Sequence, residues 1–132
     1  IAFNGGGGAG AASNNITVTQ PSGAMSPNAD GGIGSFISDS FLGPTAPSYG
    51  TPGPVSSVRY FAGGGAGMSQ DGAVFVEGGV GGSGGGGSAN VAPTPLPVSQ
   101  GTANTGGGGA MDYSTNNSAG GKGIVIIRYK FQ

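Results

Sequence analysis

Glycine makes up one residue in four of this chain, 33 of 132, and it falls in tracts. They are Gly5 to Gly8 with Gly10; Gly31, Gly32 and Gly34; Gly63 to Gly65 with Gly67; Gly78 to Gly87, interrupted at Val80 and Ser83; Gly106 to Gly109; and Gly120, Gly121 and Gly123. Glycine loses more backbone entropy on ordering than any other residue. An ordered glycine tract therefore needs a strong offsetting interaction. Backbone hydrogen bonding between close-packed tracts can supply it. Polyproline-II-type helices have three residues per turn, rise about 3.1 Å per residue and make no internal hydrogen bonds. Without side chains, such helices can lie side by side and bond to each other, which satisfies peptide groups that could not otherwise be buried.

Two other glycine architectures fit less well. Gly/Ser-rich sequence commonly makes flexible linkers. These tracts, however, are short, separate and flanked by apolar residues such as Phe3, Phe61 and Val80, which a linker does not need. Collagen needs glycine at every third position, and Gly50-Thr51-Pro52-Gly53-Pro54-Val55 gives two triplets and stops. Conventional core formers are scarce: Leu, Ile, Val and Phe total 24. Disorder asks for high net charge as well as low apolar content, and here the net charge is −1.

Between the tracts, Ile16-Thr17-Val18-Thr19 alternates like a short strand and Pro21 closes it. Ser35 to Tyr60 holds Phe36, Ile37, Phe41 and Leu42 and then a Pro-Gly turn cluster. Ala73 to Val76 reads as another strand, Asn90 to Asn104 as a Pro-rich extended loop, and Ile124 to Phe131 as the clearest β-strand. Gly and Pro punctuate every window long enough to carry a helical period. The expected fold is thus mostly irregular and all-β: a bundle or sandwich of polyglycine-II helices with a few short strands, long loops and no α-helix of note. Residues 1–132 are expected to form one module. The chain starts at Ile1 and shows no signal-peptide pattern at its start, so we expect a processed product or the C-terminal part of a longer protein.

Chemistry has little to work with. The chain has no histidine and no cysteine, which removes Ser-His-Asp and Cys-His catalysis and the usual zinc ligands. Four basic residues cannot make the patch that nucleic acid requires. The longest apolar run, Ile124 to Ile127, is far short of a membrane span. Gly5-x-Gly7-x-x-Gly10 with Asp30 twenty residues on matches the dinucleotide-binding fingerprint in letters only, since polar loop and strand follow where that motif needs a helix. Asp30, Asp39, Asp71, Glu77 and Asp112 show no catalytic or metal-ligand spacing and read as surface or turn acids. We therefore expect no catalytic residue, no cofactor site, no metal site and no enzyme activity. Recognition surfaces remain. Tyr60 and Phe61 precede a tract and are expected to pack under it. Tyr49, among Ser and Pro, and Tyr113, among Asp, Ser, Thr and Asn, lean to exposure, and aromatic rings beside small polar residues suit recognition.

The words between the tracts are also distinctive. Gly50-Thr51-Pro52-Gly53-Pro54, Arg59-Tyr60-Phe61-Ala62-Gly63-Gly64-Gly65, Gly101-Thr102-Ala103-Asn104-Thr105 before Gly106 to Gly109, and Gly120-Gly121-Lys122-Gly123-Ile124-Val125-Ile126-Ile127-Arg128-Tyr129 follow in order. The chain resembles the glycine-rich C-terminal domain of marine bacteriophage tail-fibre and structural proteins. In organisation it is similar to phage adhesins built as polyglycine-II sandwiches. The resemblance implies an extracellular virion component whose inter-tract loops recognise a host cell-surface glycan or protein. It implies a homo-oligomer, by default a trimer, or contact with other fibre subunits. The receptor-contact candidates are Tyr49, Tyr113, Asn116 and Asn117. The alternative expectation is a structural subunit of a virion or extracellular filament that assembles through glycine tracts and the terminal strand.

Overall fold

The computed structural model describes residues 2–3, 5–13, 17–19, 24–26, 29–71, 74–89, 99–111 and 118–130. Its centre is a lattice of glycine rods whose period is legible in the hydrogen bonds. Gly63 and Ala66 donate to Gly84 and Gly87. Gly64 and Gly67 donate to Gly32 and Ala29, and Gly6 and Ala9 donate to Gly65 and Ala62. Gly79 and Gly82 donate to Gly67 and Gly64, and Gly108 and Met111 donate to Gly63 and Ala66. In every pair the donors are three residues apart and so are the acceptors. That is the register of rods with three residues per turn, bonded from rod to rod; a bond from the Gly8 N–H to the Ala11 carbonyl turns the chain at the end of the first. The polyglycine-II bundle expected from the sequence is the architecture found.

Among the described residues eight rods make up the lattice: residues 5–11, 29–34, 62–67, 79–83, 84–89, 99–102, 105–111 and 118–123, numbered 1 to 8 in chain order. Rod 3 lies at the centre. The acceptors run backwards against the donors for rods 1, 2 and 4, so these are antiparallel to it, and forwards for rods 5 and 7, which are parallel. The surrounding rods bond to each other as well. Gly32 of rod 2 donates to Gly6 of rod 1, Gly31 of rod 2 to Val80 of rod 4, Gly86 of rod 5 to Gly82 of rod 4, and Gly87 of rod 5 to Gly108 of rod 7. Rod 6 is added against rods 5 and 7, and rod 8 against rods 6 and 7.

Close approach is the reason for glycine. A Cβ on Gly63 would run onto the carbonyl oxygen of Gly82 in rod 4. On Gly64 it would meet the oxygen of Gly6 in rod 1, and on Gly65 that of Gly109 in rod 7. Three successive residues of the central rod thus face three different neighbours, as a three-fold rod must.

The short strands decorate the two ends. At one end β1 (Ala2–Phe3), β6 (Met68–Asp71) and β7 (Val74–Gly78) make a three-stranded antiparallel sheet in the order β1-β6-β7. A hairpin of β2 (Thr17–Thr19) and β3 (Ala24–Ser26) lies beside β7. A small core of Ala66, Met68, Ala89 and Ala110 closes the rods there. We call this the hairpin end.

The opposite, cap end carries residues 35–61. Antiparallel β4 (Ser35–Ser38) and β5 (Val58–Phe61) flank one turn of helix, α1 (Asp39–Leu42), and a 3₁₀ segment, Gly43–Ser48. Ser38 starts α1 by accepting from the Phe41 N–H, and Gly43 ends it at φ 68°, a backbone angle that costs glycine little. Leu42, Ala46 and Phe61 form the core of the cap. Tyr60 is 5% exposed and Phe61 9%, so both pack beneath the structure as expected.

One expectation is corrected. Ile124 to Lys130 belongs to no sheet; among the described residues it has no ladder partner. Ile124 and Ile126 turn in against the cap core while Val125, Ile127 and Tyr129 are 85%, 81% and 80% exposed. The in-and-out alternation read from the sequence is present. Side-chain packing and Arg128 hold the segment instead: one guanidinium nitrogen donates to the carbonyls of Ser40 and Phe41 at 2.9 and 3.0 Å.

Candidate functional site

The direction of each rod decides where its connection emerges. Rod 3 runs toward the hairpin end and rod 4 back; rod 5 runs out, rod 6 back, rod 7 out and rod 8 back. Rods 3, 5 and 7, which precede residues 68–78, 90–98 and 112–117, therefore all end at the hairpin end. At the cap end the connection from rod 2 to rod 3, residues 35–61, forms the cap itself, whereas the returns from rod 4 to rod 5 and from rod 6 to rod 7 are tight. Rods 4 and 5 join at Ser83, Gly84 and Gly85, where the two glycines have φ of 107° and 86°. Rods 6 and 7 join through Ala103 and Asn104, and Asn104 is left-handed at φ 61°. A side-chain hydroxyl stabilises each return: Thr51 Oγ1 accepts from the Gly84 N–H at 2.8 Å, and Thr105 Oγ1 accepts from the Gly107 N–H at 3.0 Å.

The hairpin end is the candidate recognition surface, because three rods, 3, 5 and 7, end there on a rigid base. Asp30 locks that base by accepting the Val80 N–H at 2.7 Å. This aspartate is the one that the fingerprint-like run Gly5 to Gly10 pairs with in the sequence, and its carboxylate is used for rod-to-rod bonding. The run itself is rod 1, and Gly5, Gly8 and Gly10 face rod 2: a Cβ at Gly5 would meet the Asp30 carbonyl and one at Gly8 that of Gly32.

The receptor candidates separate. Tyr113, Asn116 and Asn117 fall outside the described residues, in the segment between Met111 and Ser118, and both of those residues stand at the hairpin end. Tyr49 is at the cap end. It is half-buried against Leu42, Ala46 and Phe61, its N–H donates to the Ala46 carbonyl, and its own carbonyl accepts from Arg59 Nε at 2.8 Å. Among the described residues no cluster of three acidic side chains is placed to hold a metal, and no helix is long and apolar enough to cross a membrane.

Comparison with known proteins gives one match. The sequence model of a family described as a glycine-rich domain matches residues 2–130, nearly the whole chain. No curated protein matches the chain, and neither does any solved structure.

Proposed function

We propose that this chain, which belongs to the glycine-rich domain family, is the adhesin-like module of a bacteriophage tail fibre and recognises a receptor on the host cell surface. One observation carries the reading: rods 3, 5 and 7 all finish at the same end of the lattice. Loops on a rigid scaffold are where binding residues concentrate. A rod lattice held mainly by backbone bonds asks little of the sequence of its connections, so these can vary while the base is kept. The segments 90–98 and 112–117 hold the polar and aromatic material for contact, Tyr113, Asn116 and Asn117 among it. The ligand class is a cell-surface glycan or protein, the setting is the extracellular virion, and a homotrimer or contact with other fibre subunits is the expected assembly.

The test is binding of the labelled chain to a panel of intact cyanobacterial and marine bacterial cells. Residues 112–117 are replaced in one variant by a Gly-Ser segment of equal length. At least one strain is expected to be coated saturably, and the variant is expected to bind at least tenfold more weakly with its melting temperature unchanged. Binding to no strain, or equal binding by the variant, counts against the reading.

A filament subunit is the second reading, and the outward stripe of Val125, Ile127 and Tyr129 favours it. Its signature is open-ended growth in light scattering without cell binding.

A further inference from the structure

Six rods surround any rod in a filled three-fold lattice, and rod 3 has five. Its neighbours close into a chain, rod 1 to 2, 2 to 4, 4 to 5 and 5 to 7, and among the described residues no hydrogen bond joins rod 7 to rod 1. At the sixth position lies a groove of about 930 Å³. Rod 3 from Ala62 to Ala66 is its floor, rod 1 is one wall and rod 7 the other. The lining is glycine and alanine apart from Met111 and Ser118 and carries no charge.

The floor also holds a polar group with nothing to bond to. Gly65 is buried, yet its N–H has no acceptor among the described residues, and the same holds for the N–H groups of Gly7 and Gly109 in the walls. The Gly65 nitrogen lies 2.9 Å from the Cβ position of Gly108 and 3.7 Å from that of Gly6, so it sits between the two walls. Buried peptide N–H groups are almost always paired.

We infer that this groove is a docking site for a glycine-rich segment of a separate polypeptide, which enters it as a polyglycine-II rod and completes the lattice. The occupant is set by shape and by bonding. Five residues of floor are about 15 Å long at about 3.1 Å per residue, so five or six residues fill it. At the spacing found between the rods of this chain, residues that face the floor or the walls must be glycine or an occasional alanine. Backbone carbonyls of the incoming rod accept from the unpaired N–H groups, as the rods within the chain do for each other. A second folded copy is a poor donor, since each of its own glycine tracts already lies in a rod bonded to its neighbours. The partner is therefore a chain with a free glycine run, and the inference holds whether or not the hairpin end binds a receptor.

The experiment uses the whole chain and a dansyl-labelled peptide with Gly-Gly-Gly-Ala-Gly-Gly between pairs of lysines. A matched peptide with valine at three of the glycines is the control. Fluorescence anisotropy gives affinity, and ¹H–¹⁵N spectra report the Gly65 amide. The expected result is saturable binding of the glycine peptide alone, with the largest shifts at Gly7, Gly65 and Gly109. Gly6→Val places a side chain over the Gly65 nitrogen where the nearest atom is 3.7 Å from the Cβ position, so folding tolerates it and affinity falls at least tenfold. Should that variant unfold, the amide map of the unaltered chain decides. No saturable binding, equal binding of the valine peptide, or shifts confined to other faces overturns the inference. So does concentration-dependent self-association of the chain with the same amides moving, which would make the occupant a second copy.

Discussion

Gly64 and Gly123 are the same residue type in two tracts, and their surroundings make them opposites. A Cβ on Gly64 runs onto the carbonyl of Gly6 and lies 2.9 Å from the nitrogen of Gly32, whereas a Cβ on Gly123 meets nothing within 4 Å. Overpacking against rigid backbone usually costs about 1–3 kcal/mol and can cost more. Gly64→Ala is therefore expected to lose about 3 kcal/mol or more, and Gly123→Ala to stay within about 0.5 kcal/mol of the parent chain, both read from urea midpoints. Equal effects would mean that the rods are not packed at this distance. The sequence makes every glycine look alike at this scale, because a tract specifies a rod but not its number of neighbours. Tyr49 is less exposed than its sequence suggests for a similar reason. Its Ser/Pro surroundings suggest an exposed loop, and only the fold brings Leu42, Ala46 and Phe61 against its ring.

Among the elements, the cap shows how a stretch poor in glycine is anchored to a lattice with few side chains. Arg59 on β5 donates from Nε to the Tyr49 carbonyl at 2.8 Å and from Nη2 to the Gly50 carbonyl at 2.9 Å, and so ties the end of the 3₁₀ segment to the strand. A hydrogen bond with a charged partner contributes about 1.5–3 kcal/mol. Arg59→Ala is expected to destabilise the cap by about 2 kcal/mol and to speed amide exchange in residues 49–60, while Gly64 and Gly82 keep their protection. Arg59→Lys loses the planar fork and should recover less than half. Uniform loss of protection would instead mean that cap and rods unfold as one unit. Element by element, the sequence was only partly legible. The absence of a long helix, the strand near Val74 and the short strand at Thr17 follow from pattern. The tract from Gly78 to Gly87 reads as a single element, yet positive φ at Gly84 and Gly85 folds it into two antiparallel rods, and composition contains no sign of that reversal. Missing one reversal inverts every later rod, so the common end of rods 3, 5 and 7 was out of reach. Ile124 to Lys130 shows the reverse limit: alternation reports which side chains face inward and says nothing of a ladder partner.

Across the whole molecule, peptide groups are buried in place of hydrocarbon. The buried hydrophobic residues are few and small, four of them alanines within or beside rods. Exposing apolar surface raises the heat capacity of unfolding and exposing polar surface lowers it. An ordinary chain of 132 residues would give about 1.6–2.0 kcal/mol/K. This one is expected to give about two thirds of that or less, with a correspondingly flat stability curve, measurable by scanning calorimetry over a range of pH. A value in the ordinary range would show that the hydrophobic contribution is larger than the rods suggest. The three-residue register has a final consequence, for heredity. A rod that gains or loses three residues slides by one full turn and presents the same faces to the same neighbours. A rod that gains or loses one is rotated by a third of a turn, and each alanine it carries swings into a backbone. Length variation in descendants of such a chain is thus free in the connections and confined to multiples of three in the rods, a reading frame enforced by the protein and layered upon that of its gene.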